Sequence, residues 1–215
     1  MRPIILLIIG IVPYFSNGQQ LADLFQQSDT KITWLGIDFS HVKLIGDFNQ
    51  FAEWGTEGAA SIRDNYFPEW NELVYSEYKK YDVAGMLRKE NMVLDTDYTY
   101  ELNKKAPLEE LEARQDPDYS KETIQSFVKP YSFKQKEGLG VLLVAESLNK
   151  YKEHAKYHFV VLDLHDNTIL LHQLFIEKPG GFGLRNYWAK SFFNVVKNIK
   201  EKAYFDWKEE IIGKK

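Results

Sequence analysis

The hydrophobic positions change period several times along the chain, and each change marks an element. From Ile32 to Phe39, residues Leu35, Ile37 and Phe39 fall on one side and Trp34, Gly36 and Asp38 on the other. A period of two predicts a strand, which Val42 to Ile45 extends after Ser40-His41. Ala59 to Lys80 switches to helical spacing through Ile62, Tyr66, Trp70, Leu73, Val74 and Glu77. Pro68 has to start or kink a helix there, because it has no amide hydrogen. Met92 to Leu102 alternates again, with Val93, Asp95, Asp97, Thr99 and Glu101 against Leu94, Thr96, Tyr98, Tyr100 and Leu102, and is read as a second long strand.

The second half is punctuated more sharply. Lys104 to Asp118, broken by Pro107 and Pro117, reads as a surface loop or a short acidic helix. Ser120 can cap a helix from Lys121 to about Val128, with Glu122 in its first turn and Pro130 as its stop. Gly140 to Leu148, Tyr157 to Leu164 and Thr168 to Ile176 are three β-forming runs, the last two joined through the turn-forming His165-Asp166-Asn167. After Pro179-Gly180-Gly181-Phe182-Gly183, a closing amphipathic helix places Leu184, Trp188, Phe192, Val195, Val196 and Ile199 on one face. The expected fold is α/β (α+β): a mixed sheet of about five strands with helices packed on it, in a single domain over residues 32–215. A polar segment, 19–31, precedes it and is expected to contribute little to the core despite Leu21, Leu24 and Phe25.

The N-terminus changes the picture of where this domain works. Met1-Arg2, the apolar run Ile4 to Val12 and the small residues Ser16-Asn17-Gly18 read as a secretory signal cleaved near Gly18. That run is too short to cross a bilayer, so no membrane span is expected in the mature chain, which would be periplasmic or secreted. The chain has no Cys, so no disulfide framework supports the fold, and 44% hydrophobic with 15% aromatic residues must supply the core. Net charge is −4, which argues against nucleic acid as a partner.

The opening Trp34-Leu35-Gly36-Ile37-Asp38-Phe39, the hairpin from Val160 through Asp163 to Leu171 and the helix from Leu184 occur in an order that resembles the curli-secretion-lipoprotein type of α/β domain, found in bacterial envelope proteins. The resemblance implies a scaffold or assembly role with another envelope protein as partner. The chain departs from that type in lacking a lipid-bearing Cys.

Candidate chemistry is sparse. Gly180, Gly181 and Gly183, flanked by Lys178 and Arg185 between a strand and a helix, can present backbone amides to an anion, although the spacing matches neither a P-loop nor a dinucleotide fingerprint. Against this stands a plain flexible connection. His154 and His158 are four apart and would form a metal pair on a helix, but His154 is expected in a hairpin loop and His158 at a strand start, so no metal is assigned. Asp38 and Asp47 flank the loop after the first strand and are the candidate carboxylates of a hydrolase; Asp95 and Asp97 read as solvated. The aromatic stretch from Phe48 to Trp70, with Phe51, Trp54, Tyr66 and Phe67, is read as core closure rather than a binding platform. No cofactor is implied. The expectation is an exported, non-enzymatic binding or assembly module; the alternatives are a carboxylate hydrolase and a small-anion-binding protein using Gly180 to Arg185.

Overall fold

The computed structural model describes residues 17–49 and 58–213, so residues 1–16 of the leader expected over residues 1–18, and the aromatic residues Phe51 and Trp54, lie outside the described residues. Helix α1 (Asn17–Gln26) leads into strands β1 (Ile32–Asp38) and β2 (Lys43–Ile45). Next come α2 (Gly58–Ser61), a π-helical turn (Ile62–Tyr66), α3 (Phe67–Ser76), which continues directly from that turn and carries Pro68 near its start, and α4 (Val83–Met86). Strand β3 (Val93–Leu94), α5 (Asp97–Lys104), α6 (Leu108–Leu111), β4 (Glu112–Ala113) and α7 (Lys121–Val128) follow. The chain closes with β5 (Leu139–Asn149), β6 (His154–Asp163), β7 (Thr168–Glu177), α8 (Leu184–Asn198), a π-helical stretch (Ile199–Ala203) and α9 (Tyr204–Ile212).

The sheet is mixed. Strand β5 is its spine: β6 runs antiparallel along one flank, and β1 and β2 run parallel to it at Ile32–Asp38 and Lys43–Ile45. Because β6 occupies one flank over the whole of β5, β1 and β2 share the other as one broken strand. β3 extends β1, β4 extends β2, and β7 pairs only with β6. The seven strand segments of the described residues therefore stack as five ribbons. One face carries the main core, in which α8 and α9 bury Trp188, Phe192, Val195 and Trp207 in one cluster with Trp34, Val141, Phe159 and Val161. The other packs Ile124 and Val128 of α7 with Leu35, Leu142, Val160 and Leu162. Each such side chain contributes about 1.5–3 kcal/mol by leaving water.

Two expectations need correction. Residues 92–102 are not a long strand: only Val93 and Leu94 pair, and α5 begins at Asp97. Tyr98 and Leu102 are four apart and pack with the α7-side core, while Thr99 and Asn103 are buried against β1. The polar N-terminal segment also contributes to the core, since Leu24 and Phe25 of α1 are buried and Phe25 meets Tyr204.

Candidate functional site

Strand β7 ends where Lys178 and Pro179 lead out of the sheet, and residues 178–183 fold back along the ridge of α8 formed by Asn186, Lys190 and Asn194, which are spaced by four. Asn194 Nδ2 donates to the Lys178 carbonyl at 3.0 Å and Asn186 Nδ2 to the Phe182 carbonyl at 3.1 Å. The Gly180 amide donates to the Tyr187 carbonyl at 2.8 Å. Gly181 and Gly183 take φ of 103° and 80°, a region that side-chain-bearing residues rarely adopt.

This arrangement forms an open groove of about 550 Å³ lined by Lys80, Lys178, Lys190, Asn186, Asn194 and residues 179–181, with no carboxylate in its wall. Lys190 Nζ lies 4.2 Å from the centre of the Phe193 ring and Lys80 Nζ lies 6.0 Å from it, so one aromatic ring gathers two cations. Burial lowers the Lys80 proton affinity, but contacts with Tyr81 and Glu77 outweigh it and hold Lys80 above the ordinary lysine value. Three lysines thus line one groove of a chain with net charge −4, one of them, Lys80, paired with Glu77 at 3.3 Å.

The structure brings Lys178, Gly180 and Gly181 together here but not Arg185. The Arg185 guanidinium lies 3.1 Å from Glu77 Oε1 and 3.6 Å from Glu69 Oε2, and the Arg185 carbonyl accepts from Trp70 Nε1 at 3.0 Å. Arg185 therefore staples the start of α8 to α3. Gly183 caps α8 and stands outside the groove wall. Lys80, Lys190 and Asn194 escape a reading of the sequence: the spacing of Asn186, Lys190 and Asn194 is a legible signal, whereas Lys80 arrives from a turn remote in the chain.

A second polar cluster lies toward the C-terminal end of β5. A bulge between Ala145 and Ser147 inserts Glu146, which is 1% exposed and accepts from His158 Nε2 at 2.9 Å, Lys156 Nζ at 2.8 Å and the Tyr119 amide at 3.0 Å. Burial pushes the Glu146 carboxyl up, and these donors outweigh it to hold it below the ordinary carboxylate value. Asp116 is likewise held well below that value against its burial, by Lys152, Ser147, His154 and Asn149. His158 Nδ1 is 2.8 Å from His172 Nε2, and burial together with His158 and Lys121 pushes the His172 imidazole down to about 4.

His154 and His158 do not form a metal pair. Both lie on β6, correcting the loop expected for His154, and four residues along a strand separate them by about 13 Å. His154 Nε2 sits 3.0 Å from Asp116 while His158 serves Glu146, and among the described residues no three metal-ligating side chains converge. Nor do Asp38 and Asp47 converge. Asp38 stands opposite Val144 on β5 and Ile45 opposite Asn149, a separation of about 16 Å along the strand, and Asp47 lies beyond Ile45. Asp38 is fully buried, accepting from the Ser40 amide at 2.7 Å and from the Tyr131 hydroxyl. Asp97 pairs with Lys134, and the Asp95 amide donates to the Trp34 carbonyl. Of the aromatic stretch, Phe48, Phe67 and Trp70 are core residues.

Among the described residues no helix is long and apolar enough to cross a membrane. Comparison with known protein families, with curated proteins and with solved structures finds no match to this chain.

Proposed function

We propose that this chain is an exported, non-enzymatic binding module that captures an anionic group of an envelope partner in the groove of Lys80, Lys178 and Lys190. The observation that carries the reading is the composition of that groove, three lysines and two asparagine side chains without a carboxylate. Binding rather than catalysis is favoured because the carboxylates Asp38, Asp116 and Glu146 are each already engaged by two or more donors. Export rests on the pattern of Met1 to Gly18, and the envelope setting on the resemblance in element order.

Thermal unfolding of the full chain with sodium phosphate and pyrophosphate tests the groove. A ligand at a hundred times its dissociation constant adds about 2.7 kcal/mol of stability. Wild type should unfold at higher temperature with pyrophosphate, and the double variant Lys178→Gln/Lys190→Gln should lose most of that gain. An equal gain in both proteins would place the anion elsewhere and defeat the reading.

A further inference from the structure

One edge of the sheet is broken up and the other is continuous. β3 and β4 are two-residue strands, and beyond β3 the side-chain amides of Asn71 and Asn103 take up the outer flank of β1. At the opposite edge, β7 runs for 10 residues and pairs with β6 alone. Gln125 reaches the Ile169 amide and the Asn167 carbonyl at its start. Among the described residues, no hydrogen bond outside the β6 ladder engages the backbone of residues 170–176. We propose that this edge is a self-association surface, on which β7 of a second copy of this chain pairs antiparallel and joins the two sheets.

Edge strands are ordinarily blunted by shortness, charge, Pro or a bulge. From Thr168 to Ile176 this one has no Lys, Arg, Asp, Glu, Pro or Gly, and its register shift lies between Ile169 and Leu171, at the Gln125 end. Its two faces differ. Gln173 accepts from Trp207 Nε1 at 2.7 Å, Phe175 packs on the Trp207 ring and Glu177 accepts from Asn198 Nδ2 at 3.1 Å, so α8 and α9 cover that side. On the other, beyond His172, Leu174 and Ile176 are 36% and 56% exposed. The pattern is self-complementary, because twofold antiparallel pairing sets residues of the same face opposite one another. A register centred on Leu174 places it against its own copy and Ile176 against His172 of the second copy, so four exposed apolar side chains form one strip. Glu177, the only residue of the strand with a fixed charge, then lies about 20 Å along the strand from its counterpart. Two chains of net charge −4 thus meet along an uncharged seam.

The test is sedimentation velocity of the full chain from low to high micromolar concentration, with amide hydrogen exchange followed over the same range. Wild type should pass from monomer to dimer, and exchange at residues 170–176 should slow as the dimer forms. Leu174→Lys and Ile176→Lys change exposed positions and enter a twofold seam twice, so each should weaken dimerisation about tenfold or more. Val93→Lys, at the 62% exposed position on β3, should dimerise as wild type does. Four outcomes would each overturn the assignment: a wild-type chain that stays monomeric throughout, wild-type dimerisation in both Leu174→Lys and Ile176→Lys, loss of the dimer in Val93→Lys, or a dimer that forms without slowed exchange at residues 170–176.

Discussion

Strand β1 shows at single-residue scale how an irregular backbone is satisfied. β3 flanks it only at Thr33 and Trp34, and the pairing with β5 shifts between Trp34 and Ile37. Side chains complete the ladder. Asn71 accepts from the Ile37 amide at 2.7 Å and donates to the Ile37 carbonyl at 3.0 Å, while Asn103 accepts from the Phe39 amide at 2.6 Å and donates to the Ile37 carbonyl at 2.8 Å. Gly36 has φ of 97°, and a Cβ there would come within 2.7 Å of the Asn71 amide oxygen. Asn103→Ala strands a buried amide and should cost about 1–3 kcal/mol in the urea unfolding free energy; an unchanged midpoint would show that water replaces the side chain.

His172 carries the second residue-scale prediction. The unfolded imidazole takes up its proton near pH 6.5 and the folded one only near 4, so between those values the unfolded chain binds more protons and acid favours unfolding. His172→Gln should flatten that loss when urea midpoints are followed from pH 7 to pH 4. A midpoint that falls just as steeply in the variant would assign the acid sensitivity to other groups. None of these roles is legible in the sequence. The alternation of residues 32–39 reveals a strand, but the partners of its backbone come from Asn71 and Asn103, whose roles depend on contacts far apart in the chain.

Among elements, β5, β6, β7 and α8 are the legible ones, because each is long, and Asp166-Asn167 or the glycine loop marks a boundary of all but β5. Residues 92–102 mislead because Leu94, Tyr98 and Leu102 satisfy a helical spacing of four as well as an alternation of two. Docking against β1 decides between the two readings: Thr99 and Asn103 reach it together only from a helix. Arg185, a candidate anion ligand in the sequence, lies in the first turn of α8 and faces Glu77 and Glu69. Its ion pairs with Glu77 and Glu69 are partly exposed, so Arg185→Ala should cost only about 0–1 kcal/mol of stability and leave pyrophosphate binding intact. Loss of binding in that variant would return the guanidinium to the site.

At the scale of the whole molecule, an acidic chain gathers three of its lysines around one groove, drawn from the turn after α3, the exit of β7 and the ridge of α8. Local sequence makes the glycine loop legible, but no local pattern announces that Lys80 joins it. Exposed cations act through a screened field, so pyrophosphate affinity should fall as sodium chloride rises from about 50 to about 500 mM, a dependence that calorimetry reads directly; an affinity indifferent to salt would argue against a lysine-based site. The measurement that bears most directly on anion capture is an amide NMR titration of the full chain with pyrophosphate. Capture in the groove predicts saturating shifts concentrated at the amides of Gly180, Gly181 and Lys190 and at the side-chain amides of Asn186 and Asn194. Shifts centred on His158, His172 and Glu146 instead, or no saturating shifts at all, would contradict it.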